Sequence, residues 1–218
     1  MATLGNSNQD WDRFWTQKAT NFYHNLPASY IIENFIRQKL YFNAIDRLLG
    51  SFSLEGKDIL ELGSGTGSNS LYLAKLHNAR TVTLVDFSQK ALRRVRERFY
   101  SCPVIKIPED ILKLSLQKEY DFVHSTGLIE HFIGKERLLA VKKHFQFVRP
   151  EGLVMIWVPI FSPAFKLIRK INHCLGIKEI PFTKEELQLL CEKSNLKILR
   201  EGKTVFGALY GILAQKRV

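Results

Sequence analysis

The stretch 58–70, DILELGSGTGSNS, runs from apolar residues into three glycines at every second position, Gly63, Gly65 and Gly67, with an acid, Glu61, two residues ahead of the first. The apolar run reads as a buried strand, the glycines as a turn, and the residues behind them as a helix whose free N–H groups can meet an anion. A dinucleotide is the common ligand of such a turn. Its G-x-G-x-x-G fingerprint fits poorly here, because Ser68 stands where the third small residue belongs. Glu61 would also repel a diphosphate and attract a cationic group instead.

Outward from this loop the pattern repeats. Apolar runs at TVTLVD (81–86), PVIKI (103–107), YDFVHST (120–126) and GLVMIWVP (152–159) are separated by helical stretches near 67–77, 89–100 and 135–148, and by a short helical turn near 110–116. Strands that are apolar almost throughout and spaced by helices indicate a parallel sheet covered on both faces. Ahead of the loop, residues 28–49 carry apolar side chains at helical spacing and stop at Gly50. Behind the fifth strand, Thr183 and Glu186 form a capping box opening a helix. The runs 196–202 and 205–216 then follow with no helix between them, which predicts an antiparallel hairpin added to the sheet.

The totals fit one domain with appendages. The chain has 218 residues, 45% hydrophobic and 24% charged, an ordinary soluble composition. Its apolar runs are too short to span a membrane, and residues 1–20 lack the apolar core of a signal peptide, so a cytoplasmic location is expected. Cys102, Cys174 and Cys191 lie far apart with no metal-ligand or disulfide spacing, so reduced thiols and no metal are expected. A net charge of +11 favours anionic partners of some kind without choosing among them.

In an open parallel sheet, ligands bind beyond the carboxyl ends of the strands. The informative residues stand there: Glu61 after the first strand, Asp86 after the second, Asp110 after the third, and Ser125 to His131 after the fourth. Glu61 suits an ammonium, and the helix N-terminus suits a carboxylate; a ligand with both is an amino acid. Asp86 can accept both hydroxyls of a ribose, with Phe87 offering a ring face to a base. Asp110 can accept from an exocyclic amine while Ile111 walls the ring. Amino acid, ribose and adenine together describe S-adenosylmethionine.

On these residues the chain resembles the class I S-adenosylmethionine-dependent methyltransferases over roughly 55–215, the motif ELGSGTG being its most specific match. The resemblance implies a three-layer αβα sandwich of the Rossmann-like type around a seven-stranded, mostly parallel sheet with a reversed last strand. It assigns Glu61, Gly63, Ser64, Gly65 and Gly67 to the methionine part, Asp86 to the ribose, and Phe87, Asp110 and Ile111 to the adenine. The segment STGLIEHF, beginning at Ser125, matches the part of the family that lines methionine and acceptor. VRPEGLVMIWVP matches the family's R-P-G-G entry to the fifth strand, with Glu151 in place of the first glycine.

The transferred methyl needs alignment, a dry pocket and, where the acceptor must lose a proton, a base. His131, beside Glu130, is the candidate base; His124, inside a buried strand, is read as structural. Glu130-His131 is similar to the E-x-x-E-H segment of ubiquinone-type O-methyltransferases, but Gly127 replaces its first acid, which argues against a metal. The D/N-P-P-Y/F segment of exocyclic-amine methyltransferases and the Pro-Cys of cytosine-C5 enzymes are both missing, which makes nucleic acid the less favoured partner.

Residues 1–50 are read as a lid segment and helix, with Trp11, Trp15, Phe22 and Tyr23 closing over the cofactor. Residues 51–218 form the methyltransferase domain. Its insertion at about 159–182 is a basic amphipathic stretch usable against an apolar acceptor or an anionic membrane surface. The expected activity is methyl transfer to a small, partly apolar molecule, with oxygen as acceptor atom. The alternatives are an RNA or protein methyltransferase, or a cofactor-binding protein without turnover.

Overall fold

The computed structural model describes residues 9–16, 28–163, 165–166, 178–204 and 207–217, with the side chains of α2 described from Lys39 onward. The elements run α1 (9–16), α2 (Ala28–Leu49), β1 (Asp58–Leu62), α3 (Ser68–His77), β2 (Thr81–Val85), α4 (Gln89–Leu92), β3 (Val104–Ile107), β4 (Tyr120–Thr126), α5 (Gly134–Phe147), β5 (Val148–Pro159), α6 (Lys184–Lys193), β6 (Leu196–Thr204) and β7 (Leu209–Lys216). The strands form one seven-stranded sheet in the order β3-β2-β1-β4-β5-β7-β6. All neighbours are parallel except β7, which lies antiparallel to both β5 and β6. Strand order reverses between β1 and β4, so the ligand crevice opens at their carboxyl ends.

Both faces of the central strands are apolar because both are covered. Along β1, Ile59 packs with Ile45, Leu49 and Leu73 on the α2 and α3 side. Its neighbours Leu60 and Leu62 pack with Val123, Val141 and Phe147 on the α5 side. Trp157 in β5 is fully buried, and the opposing residue in β7 is Gly211, where a Cβ would lie 2.4 Å from the indole. Glycine there makes room for the largest side chain of the core.

Two expectations are corrected by the backbone. The helix expected at 89–100 is one turn, α4, followed by a 3-10 turn at Glu97–Phe99. After Leu92 the bonds tighten to the i−3 pattern, Arg94 N–H to the Ala91 carbonyl and Val95 N–H to the Leu92 carbonyl. Arg93, Arg94, Arg96 and Arg98 crowd like charge into this stretch. Unwinding also brings the Tyr100 hydroxyl 2.5 Å from the Gly67 carbonyl, which it donates to. The stretch near 110–116 holds the short helical turn expected there, Leu114 N–H donating to the Asp110 carbonyl at 2.9 Å, whereas β5 starts four residues ahead of the expected Gly152. Glu151 there takes φ +58, the left-handed conformation that glycine adopts most readily.

The hairpin and the reversed last strand are as the sequence implied. At the base of the 159–182 insertion, Ile160 and Phe182 form a parallel bridge and Phe182 N–H donates to the Pro159 carbonyl at 2.8 Å. Most of the amphipathic stretch, including Ile168, Ile171 and Leu175, lies outside the described residues, as do Phe22, Tyr23 and Cys174. Among the described residues no helix is long and apolar enough to cross a membrane.

Candidate active site

The glycine loop is built from three left-handed residues, Gly63, Gly65 and Gly67, at φ +66, +55 and +70. Space as well as conformation demands glycine. A Cβ on Gly65 would lie 2.7 Å from the ring of Trp15, and one on Gly63 would lie 2.6 Å from Leu128. The loop is thus roofed by α1 on one side and by the segment after β4 on the other.

Glu61 sits beneath this loop, only 1% exposed. Helix α3 has no side-chain cap of its own, Gly67 being its N-cap. Glu61 supplies one from the strand: its Oε2 accepts from the Ser70 hydroxyl at 2.7 Å and the Ser70 N–H at 3.3 Å, and its Oε1 accepts from Asn69 Nδ2 at 3.2 Å. A carboxylate at a helix N-terminus is favoured by the helix dipole. Burial nevertheless pushes the carboxyl up to about 7, against the Ser70 and Asn69 hydrogen bonds.

Asp86 is also buried and binds the loop directly. Its Oδ2 accepts from Gly65 N–H at 2.7 Å and its Oδ1 from Ser88 N–H at 2.8 Å. Each oxygen keeps a second lone pair, which fits a pair of vicinal hydroxyls. Burial raises its carboxyl above the ordinary range, opposed by the Ser88 and Gly65 amides. The Ser64 hydroxyl is buried in the loop without a hydrogen-bond partner, an orphan of the kind a polar ligand would satisfy. Phe87 is half-buried behind Asp86. Asp110 holds its own turn by accepting from Leu112 N–H at 2.9 Å, and Ile111 is buried at 5%.

The segment after β4 separates the remaining candidates. Ser125 turns to the opposite face of the sheet, where its hydroxyl lies 2.8 Å from His144 Nε2 of α5, leaving its main chain toward the crevice. His131 Nδ1 is 2.9 Å from the Lys178 carbonyl, which can only accept. The proton therefore sits on Nδ1 and the lone pair on Nε2. Burial pushes His131 down to about 4, against the pull of the Lys178 and Gly127 carbonyls, so the ring is neutral at pH 7. Glu130 is 2% exposed, has an unpartnered Oε2, and is pushed by burial up to about 8. It carries its proton at neutral pH.

Sequence reading named Trp11 and Trp15 but missed Tyr41 and Asp12, which also line this region. Tyr41 of α2 is buried with its hydroxyl 2.5 Å from Thr126 Oγ1 at the end of β4. Asp12 of α1 accepts from the Ser88 hydroxyl at 2.6 Å, and Arg94 donates to the Trp15 carbonyl. Trp11 meets His131 edge-on at 4.8 Å. Helix α1 therefore reaches from the Asp86 side of the crevice to the His131 side. No spacing in the sequence signals these contacts, which depend on where α1 lands.

Comparison with known proteins agrees with this geometry. Residues 59–152 match the family model of a methyltransferase domain. The malonyl-[acyl-carrier protein] O-methyltransferase of Priestia megaterium is 24% identical over 82% of this chain and 68% of its own length. The N-methyltransferase NodS of Bradyrhizobium japonicum, in complex with S-adenosylhomocysteine, superposes with a TM-score of 0.68 at 14% identity, covering 94% of this chain and 100% of its own. Magnesium protoporphyrin IX methyltransferase of Synechocystis, also with S-adenosylhomocysteine bound, gives a TM-score of 0.68 at 16% identity over 96% of this chain and 93% of its own. Strand order with a reversed seventh strand, an acid ahead of a left-handed glycine loop, and a methyltransferase-domain model matching residues 59–152 give this chain the Rossmann-like fold and the loop of the S-adenosylmethionine-dependent methyltransferases it resembles.

Proposed function

We propose that the chain methylates an oxygen of a small, partly apolar acceptor, with His131 as the base that takes the acceptor's proton. The observation that carries this reading is the tautomer of His131. With Nδ1–H committed to the Lys178 carbonyl, the neutral ring holds its lone pair on Nε2, just past the end of β4. A phenol or carboxylic acid needs such a group, since its oxygen attacks far better once deprotonated. An acceptor amine that arrives neutral needs it less.

S-adenosylmethionine supplies an electrophilic methyl on a sulfonium. Asp86 would hold the ribose hydroxyls on its free lone pairs, Glu61 would face the ammonium from behind the loop, and the Ser64 hydroxyl with the Gly63 amide would take the carboxylate end, the Gly65 and Gly67 amides being held by Asp86 and the Ser64 carbonyl. Phe87, Asp110 and Ile111 enclose the adenine. Glu130, protonated and buried beside His131, adds no competing negative charge where the acceptor approaches. Helix α1 closes the crevice and excludes water. The names of the relatives include both an O- and an N-methyltransferase. The His131 geometry favours oxygen.

The test is transfer of labelled methyl from S-adenosylmethionine to a panel of phenols, carboxylic acids, amines and RNA, for wild type and His131→Gln. Transfer to an oxygen acceptor with kcat reduced about 10²-fold or more in the variant is expected. Transfer to RNA or amines alone, or an unchanged kcat in His131→Gln, would overturn the proposal.

A further inference from the structure

A buried hydrogen-bonded chain leads from the glycine loop's acid into the middle of the sheet. In the parallel register of β1 and β4, Glu61 stands opposite His124. Both side chains turn toward α3, and Ser70 of its first turn stands between them, its hydroxyl 2.7 Å from Glu61 Oε2 and 3.0 Å from His124 Nε2. Ser70 and His124 are fully buried, and Glu61 nearly so.

Proton counting fixes the direction of the chain. In the ionised state that an ammonium partner favours, the Glu61 carboxylate can only accept, so the single hydroxyl proton of Ser70 goes to it. Ser70 Oγ must then accept, and His124 must donate from Nε2–H. This leaves His124 Nδ1 as a bare lone pair, and that atom is buried without a partner. An apolar side chain would fill the same place in β4 without such an orphan. The imidazole carries that cost, and among the described residues the Nε2–H bond to Ser70 is the one hydrogen bond its ring makes.

We propose that His124 is a positioning residue for cofactor recognition: acting through Ser70, it locks the Glu61 carboxylate beneath the glycine loop, facing the ammonium of the methionine part. Without the histidine's donor, the Ser70 hydroxyl is free to turn away from Glu61. The carboxylate then loses its shortest hydrogen bond and both its charge and its orientation weaken. Burial and the neighbouring His144 keep His124 neutral, pushed down to about 3, so it serves as a fixed donor rather than a titrating one. Asp86 is the other carboxyl acting on Glu61, and it too favours the protonated acid. The proposal rests on reading Glu61 as the counter-charge of the ammonium.

Two ligands separate this role from a structural one. S-adenosylhomocysteine carries the amino acid; 5′-methylthioadenosine keeps the adenosine and sulfur and lacks it. Calorimetric titration of both into wild type, Glu61→Gln, Ser70→Ala, His124→Leu and His124→Gln is the experiment. S-adenosylhomocysteine binding should weaken about tenfold in the first three variants, the loss expected for one buried charge-assisted hydrogen bond. His124→Gln, which keeps an N–H donor, should recover most of it, and methylthioadenosine affinity should stay within about twofold throughout. An effect of Glu61→Gln with none from Ser70→Ala or His124→Leu would overturn the relay. Equal weakening of both ligands in the Ser70 and His124 variants would assign them a packing role and overturn it as well. No effect of Glu61→Gln would overturn the ammonium reading beneath the relay, and the relay with it. Ser70→Ala is the least disruptive of the set and decides the matter alone if His124→Leu does not fold.

Discussion

Substituting Gly65 by alanine separates two physical demands that the loop places on one residue. The first is conformational: φ is +55, and a Cβ in the left-handed region costs about 1–2 kcal/mol. The second is spatial, since the new methyl would lie 2.7 Å and 2.9 Å from two ring carbons of Trp15. Overpacking of that kind adds about 1–3 kcal/mol unless the neighbour gives way. Gly56 is the control, with φ +64 and nothing within 4 Å of its would-be Cβ. Gly56→Ala should therefore lose only the conformational part, roughly 2–8 °C in Tm at about 2–4 °C per kcal/mol for a chain of this size. Gly65→Ala should lose more, and the excess should vanish in a Trp15→Ala background, where the ring is gone. Thermal melts of Gly65→Ala, Trp15→Ala and the double variant form the cycle, with a coupling of about 1–3 kcal/mol expected. Additive losses, or equal melting shifts for Gly56→Ala and Gly65→Ala, would refute the placement of α1 over the glycine loop.

Asp86→Ala should weaken S-adenosylmethionine binding by on the order of 1–3 kcal/mol, read by calorimetry, through loss of the ribose contacts and of the Gly65 amide's acceptor. Unchanged affinity would remove the ribose assignment. Glu130 gives a pH signature. Its carboxyl is held at about 8 in the native state against 4.5 when unexposed to the fold, so the native chain keeps a proton that the unfolded chain releases over that interval. The unfolded state binds fewer protons there, so stability falls as pH rises from about 4.5 to 8. Glu130→Gln should remove this downward contribution and shift the Tm-against-pH slope across that window in the positive direction, and an unchanged slope would count against the buried acid. Asp12→Ala breaks the contact between α1 and Ser88, and S-adenosylhomocysteine should dissociate about fivefold faster in a stopped-flow displacement, the kinetic equivalent of one hydrogen bond. An unaltered off-rate would mean that α1 does not close over the cofactor.

The sheet was legible in the sequence because its physics is local and repeated. The run LVMIWV in β5 is apolar at every position, as only strands covered on two faces need to be. Glu61, the glycines and Asp86 were equally legible, since each follows directly from the end of a strand. What escaped depends on pairing in space. The opposition of Glu61 and His124 is a matter of strand register, which no spacing between residues 61 and 124 encodes. Ser125 follows from alternation, which sends its side chain to α5 rather than into the crevice. The break in the 89–100 helix reflects tertiary contacts of Arg94 and Tyr100 overriding local propensity.

Among the described residues the open sheet ends in two edge strands, β3 on one side and β6 on the other. Each exposes a row of backbone donors and acceptors that a second copy of the chain could extend. On β6 the cations Lys197, Arg200 and Lys203 outnumber the acid Glu201, while Lys106 on β3 is ion-paired with Glu97. Two molecules meeting at their β6 edges bring like charges together before any backbone bond forms. Part of the surplus positive charge thus works against self-association, and at high ionic strength, where that repulsion is screened, the same edges become the molecule's most exposed route to aggregation.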